Sequence, residues 1–339
     1  MRAWRVHRHG APTDVLQLEE VPTPEPGPGQ VRLRVHAAAL NLPDDRLCRG
    51  TYILHPSFPF TPGLEAAGII EAIGPGVDEG LVDQRVVTVA DLPNGSLADS
   101  AIGLVEGLYR VPDDQPFDHA AAFLIAFQTG HVSLSRRGQL RAGETLLVHA
   151  GAGGVGSAAI QLGKVFGARV IATAGGPEKV QLCRDLGADF AIDYRAVDFR
   201  DAVMEFTDGR GVDVIYDAVS GDVFHQSRRC LANEGRLLVV GFASGDIAQL
   251  PTNHVLLKNY SVVGVHMGAY LTTDEGREFV HEIYDELLQW YREGKIRPVI
   301  GQHVSMADVP RAIDALASRQ TVGKVIVDVS GPSAAGARE

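Results

Sequence analysis

A chain of 339 residues, 45% hydrophobic and 22% charged, has the balance of a packed protein with room for two domains of ordinary size. Its formal net charge of −11 argues against nonspecific binding to nucleic acid or to anionic membranes. The three scattered cysteines make neither a disulfide framework nor a metal cluster. The start lacks the apolar core of a signal peptide, and no apolar run approaches the roughly 18–20 residues that span a bilayer, so a cytoplasmic protein is expected.

Residues 1–123 read as short strands punctuated by proline and glycine. The Pro/Gly-rich run 21–29 is a rigid surface loop that leads into an alternating strand at 31–35, and 68–73 and 85–90 are further strands. Many short strands without helical periodicity predict a twisted, barrel-like β domain. From 118 to 136 the pattern turns helical and leads into a second domain.

That domain opens with the stretch 145–174, which reads strand, glycine-dense turn, helix, strand. G-x-G-x-x-G stands in its turn at Gly151, Gly153 and Gly156. The first glycine permits the turn, the second lets backbone approach a pyrophosphate, and the third lets the helix pack on the strand. Free N–H groups and a positive dipole end then face the phosphates. Preference for NAD usually places a carboxylate at the end of the second strand. Here Thr173, Ala174, Gly175 and Gly176 stand there, and Lys179 follows Glu178, which points to NADP(H).

Strands and helices continue to alternate: helix 179–186, strand 190–193, helix 199–206, strand 212–219, helix 223–230, strand 236–241 and a last strand at 261–265. Alternation of this kind predicts a doubly wound parallel sheet. An amphipathic helix at 274–293, a strand near Val299, a helix at 308–318 and a strand at 323–329 are expected to return to the first domain. The tail 330–339 is expected to fray.

With these motifs goes a set of local marks: N-L-P-D at Asn41–Asp44, P-G-L-E-A-A-G from Pro62 to Gly68, the run from His149 to Gly156, Asp193 with Tyr194, and L-K-N ending at Asn259. Together they resemble the medium-chain dehydrogenase/reductase superfamily, specifically its zinc-free, zeta-crystallin-like quinone oxidoreductase branch. The likeness covers nearly the whole chain. It implies an α/β fold with a GroES-like twisted β-barrel catalytic domain (1–123 and 267–339) and a Rossmann doubly wound parallel sheet (124–266). Zinc alcohol dehydrogenases of the superfamily carry a cysteine where Asn41 stands and Gly-His-Glu where this chain reads Gly63, Leu64, Glu65. Leucine cannot ligate and asparagine ligates zinc poorly, so no metal is expected and Glu65 is read as a buried carboxylate holding backbone.

The resemblance further implies hydride delivery from NADPH to a quinone or an α,β-unsaturated carbonyl, with Asn41 and Thr129 near the nicotinamide and the substrate carbonyl. Tyr52 is a proton donor, a wall of the substrate pocket or plain packing. Gly153, Gly154, Val155 and Gly156 would hold the pyrophosphate, and Lys179, Tyr194 and Arg319 the adenosine 2′-phosphate. Thr173, Gly175, Phe242 and Ser244 would lie along the cofactor, and Asn259 would touch the nicotinamide ribose. A homodimer is expected through the strand edge at 262–265. Arg46 and Cys48 depart from the pattern of quinone reductases and alter the substrate mouth. Alternatives are an enoyl-thioester reductase, whose carrier asks for a basic groove that the acidic balance does not favour, and a non-catalytic NADPH-binding protein.

Overall fold

The computed structural model describes residues 1–329; the tail expected to fray lies outside them. The chain divides into two units, residues 1–125 with 300 onward, and residues 126–299.

The first unit begins with β1 (Arg2–Val6), a short α1 (Pro12–Val15) and β2 (Leu16–Glu20), the two strands pairing antiparallel. Then come β3 (Gln30–Leu40), α2 (Leu42–Arg49), β4 (Glu65–Ile73), β5 (Arg85–Ala90) and β6 (Ser100–Arg110). Neighbouring strands pair antiparallel from β3 to β6, and β6 pairs back onto β3, closing a small barrel. Val31, Leu33, Ile70 and Val86 fill it. β3 is longer than its alternating part because residues 37–40 are buried on both faces. At its centre Gly68 lies so close that a Cβ there would stand 2.0 Å from the Arg34 carbonyl oxygen.

α3 (Phe117–His131), continued by a π-helical segment to Arg137, carries the chain into the second unit. There β7 (Thr145–Val148), α4 (Gly154–Val165), β8 (Arg169–Ala174), α5 (Pro177–Asp185), β9 (Phe190–Asp193) and α6 (Phe199–Phe206) follow in order. Next are β10 (Val212–Asp217), α7 (Asp222–Ser227), β11 (Leu231–Val239), α8 (Thr252–Lys258) and β12 (Ser261–Gly264). All six strands are parallel, in the order β12-β11-β10-β7-β8-β9, and β7 and β8 diverge from the middle as a doubly wound sheet requires.

α9 (Asp274–Arg292) follows. It was expected to return to the first domain from residue 267, but it packs in the second unit. The Val280 carbonyl accepts from Gln128 Nε2 at 3.0 Å, Glu286 meets His131 at 2.8 Å, and Trp290 stacks on the same imidazole. The return comes at residue 300, with β13 (Ile300–Ser305), α10 (Val309–Ala317) and β14 (Lys324–Asp328). β14 pairs antiparallel with the second half of β3, opposite the half that takes β6.

Candidate functional site

The glycine turn is built as its spacing demands. Ala150 and Gly151 leave β7, with Ala150 held at φ +53°, and the Gly151 N–H donates to the Thr173 carbonyl at 2.9 Å. Gly153 caps α4, and the first intrahelical bond runs from Ser157 N–H to its carbonyl. The N–H groups of Gly154, Val155 and Gly156 precede that bond, as at any helix start. A Cβ on Gly156 would stand 2.1 Å from the Ala150 carbonyl oxygen, so helix and turn touch through bare backbone. A Cβ on Gly153 would meet little, the nearest atom lying at 3.3 Å, so that glycine leaves room above the turn.

At the end of β8 the side chains gather into a cationic corner. A Cβ on Gly175 would lie 2.6 Å from the Tyr194 hydroxyl and 3.0 Å from Arg195 Nε, so both side chains cross over this glycine. Burial lowers the Lys179 ammonium from its ordinary value, and the charge of Arg195 lowers it further. Asp193 accepts the N–H groups of Gly176 and Arg195, each at 3.0 Å, and these hold its carboxylate below the usual range. Its charge is spent on shaping the turn. Arg195 was not foreseen; its signal is its place next to Tyr194 at the end of the third strand.

The remaining expected cofactor residues separate. Phe242 and Ser244 follow β11 at the carboxyl end of the sheet, on the side of the glycine turn, with the Ser244 N–H on the Val219 carbonyl. The Thr173 hydroxyl is buried against His149 Nδ1 at 2.9 Å, so it braces the turn from behind. Asn259 stands elsewhere: it ends α8 at φ +55°, immediately before β12, and its carbonyl accepts the Glu234 N–H. In a parallel sheet that is the amino edge, opposite the glycine turn, and it does not suit a ribose contact. Arg319 belongs to the first unit, exposed after α10 at φ +60°.

Of the histidines, His149 is a satisfied core residue, with Nε2 on Ser227 Oγ at 2.8 Å and burial pushing its pKa down to about 4. His131 is likewise engaged through both ring nitrogens, by Glu286 and Ser135. His266 is exposed. Thr129 sits partly buried on α3, its carbonyl accepting from Ser133 Oγ.

The first unit contains a second centre. Register places it: Ala39 lies opposite Glu65 across β3 and β4, and Leu40 opposite Val325 across β3 and β14, so Asn41, Glu65 and Lys324 converge. Glu65 is 0% exposed and Lys324 5%. Lys324 Nζ donates to Glu65 Oε2 at 2.9 Å and to Asn41 Oδ1 at 2.7 Å. Asn41 Nδ2 donates to Glu65 Oε2 at 3.1 Å and to the Ala39 carbonyl at 3.0 Å. Glu65 Oε1 accepts the Ile125 N–H at 2.7 Å, so this carboxylate does hold backbone. Asp44 accepts the Asn41 N–H at 2.7 Å and lies beside the Gly63 backbone; burial pushes its pKa up to about 7. Burial, then Asp44, raises the Tyr52 hydroxyl above its ordinary value, so at neutral pH it is a protonated donor. The Cys48 thiol is buried and pushed up to about 12, which leaves it unreactive.

This centre does not suit a metal. Asn41 and Leu64 replace ligands, a lysine already neutralises Glu65, and among the described residues no group of three or more His, Cys, Asp or Glu side chains is arranged to hold one. No helix of the described residues is long and apolar enough to cross a membrane.

Comparison with known proteins agrees with this architecture. Residues 27–110 match the family described as "Alcohol dehydrogenase GroES-like domain", and residues 154–286 the one described as "Zinc-binding dehydrogenase". The chain is 36% identical over 304 residues to quinone oxidoreductase-like protein 2 homolog of Nematostella vectensis, covering 89% of this chain and 82% of that protein. It is 35% identical over 320 residues to quinone oxidoreductase of Pseudomonas aeruginosa, covering 94% and 97%. The crystal structure of Escherichia coli quinone oxidoreductase complexed with NADPH superposes with a TM-score of 0.91 at 30% identity, covering 97% of this chain and 100% of that one. By its barrel, its parallel sheet and these likenesses, the chain belongs to the zinc-independent quinone oxidoreductase branch of the medium-chain dehydrogenase/reductase superfamily.

Proposed function

We propose that the protein is an NADPH-dependent reductase of quinones or α,β-unsaturated carbonyls that works without a metal. One observation carries the cofactor choice: Tyr194 and Arg195 cross over Gly175, four residues before Lys179, where an NAD-preferring chain would offer a free carboxylate. Two cations and a phenol suit a dianionic 2′-phosphate, and the open backbone at Gly153 suits a pyrophosphate. The NADPH bound by the E. coli relative supports the same choice.

Bound NADPH supplies the hydride. The chain's own task is to orient, to exclude water and to manage one proton. A conjugated acceptor gains negative charge on oxygen as hydride arrives at carbon, and Tyr52, kept protonated, is the group in the first unit suited to neutralise it. Asn41 has both amide N–H groups committed, so it presents only its oxygen. The reading includes a homodimer formed through the edge strand β12, beside which Leu256 and Leu257 of α8 are each 80% exposed.

The test is oxidation of NADPH and NADH with 1,4-naphthoquinone, an enone and crotonyl-CoA in parallel, in wild type, Lys179→Glu and Arg195→Glu. NADPH is expected to be oxidised with the first two acceptors. Each variant is expected to raise the NADPH Kd roughly 10-fold or more, the scale of one lost charge-assisted hydrogen bond, and to leave NADH little changed. Equal weakening of both cofactors would remove the 2′-phosphate assignment. Turnover confined to crotonyl-CoA would mark an enoyl-thioester reductase, and tight NADPH binding without turnover a binding protein.

A further inference from the structure

We infer that Lys324 is the positioning residue of the first unit's polar centre, a fixed internal cation that sets which way the Asn41 amide faces. The inference rests on the reductase reading for its kinetic consequence and on geometry for its cause. An ammonium can only donate and a carboxylate can only accept. With Lys324 Nζ 2.7 Å from one end of the amide and Glu65 Oε2 3.1 Å from the other, the oxygen must face the lysine and the nitrogen the glutamate. The second N–H is taken by the Ala39 carbonyl at 3.0 Å. The amide is therefore locked at both ends, and what it can offer a ligand is one oxygen lone pair, an acceptor for a hydroxyl or an N–H.

Three features show that the lock is built. Lys324 and Glu65 are both nearly excluded from solvent, where an unpaired charge is costly. Glu65 cannot turn away, because its other oxygen is held by the Ile125 N–H at 2.7 Å. Asn41 cannot shift along the chain, because its own N–H is held by Asp44 at 2.7 Å. Lys324 completes this arrangement from the first residue of a strand 283 positions away, and without it the amide is free to flip and Glu65 keeps a buried, uncompensated charge.

The experiment has a spectroscopic and a kinetic arm. The chain contains five asparagines, so selective labelling gives five side-chain 15N–H2 pairs, of which Asn41→Ala identifies one. In the cofactor-free protein the Asn41 pair is expected to exchange slowly with solvent, to exchange fast in Lys324→Met, and to recover in Lys324→Arg. If Lys324→Met does not fold, Glu65→Gln/Lys324→Met removes both charges together and takes its place. Kinetically, Lys324→Met is expected to lower kcat roughly 10- to 100-fold, the scale of a misplaced positioning group, with the NADPH Kd unchanged. In an Asn41→Ala background the same change is expected to have less than about a twofold effect, since a residue acting through a partner adds nothing once the partner is gone. An active wild type whose Asn41 pair and kcat are indifferent to Lys324→Met, or losses that multiply in the double variant, would overturn the inference while leaving the reductase reading intact. A wild type that reduces none of the acceptors would overturn both.

Discussion

Asp44 and His149 are both buried and titratable, and they tie stability to pH in opposite directions. The Asp44 carboxyl is raised from 3.8 to about 7, chiefly by burial, with the Asn41 N–H and Lys324 opposing and Glu65 adding. The folded state therefore holds this proton longer than the unfolded one, and stability falls as pH rises from about 4 to 7, by up to about 1.4 kcal/mol per pH unit. His149 is lowered from 6.5 to about 4 by burial, so its folded state resists protonation and stability falls as pH drops through that window. Urea unfolding from pH 4 to 8 should show Asp44→Asn gaining on wild type as pH rises toward 7. His149→Gln should lose the decline below pH 6.5. Parallel curves for either variant would show that its group does not titrate between the two states.

The glycines of the nucleotide turn separate two demands that one motif conceals. Gly156→Ala forces a Cβ onto the Ala150 carbonyl, and α4 must move off the turn; a loss of about 1–3 kcal/mol is expected together with loss of NADPH binding. Gly153→Ala meets nothing closer than 3.3 Å, so its melting temperature should stay near wild type while NADPH binding falls. Calorimetry with cofactor titration distinguishes the pair. For α8, Leu256→Asp/Leu257→Asp should stay folded, both side chains being 80% exposed, and convert a dimer to a monomer in light scattering. A wild type already monomeric would remove the edge-strand proposal. The parallel sheet was legible because its strands are short apolar runs between helices of clear period. α2 was not, because N-x-x-D from Asn41 to Asp44 reads as a site motif and also starts a helix, with Asp44 accepting the Asn41 N–H at 2.7 Å. The period of α9 shows that it buries a face but not against what, so the sequence does not tell to which unit it belongs. Lys324 was invisible for a simpler reason: its partners are 259 and 283 residues distant, and no local pattern carries that distance.

At the scale of the whole molecule, each unit has its own core and its own chemistry. NADPH at a hundredfold excess over its Kd should stabilise the second unit by about 2.7 kcal/mol, and NADH at the same concentration by less. A thermal scan that moves no transition with NADPH would contradict the cofactor assignment. The two units also differ in when they can be finished. All strands of the parallel sheet lie in one continuous stretch, whereas the first unit's core takes Val15 and Leu40 from the beginning of the chain and Ile313, Val325 and Val327 from its end. On the ribosome, the inner half of β3 waits with an open flank until β14 emerges, and Glu65 waits without its counter-ion. The nucleotide-binding half can then be completed first, and the half that was translated first matures last, so a nascent chain stalled near residue 300 has a closed barrel but an uncovered core beside it, where Val15 and Leu40 lack Ile313, Val325 and Val327.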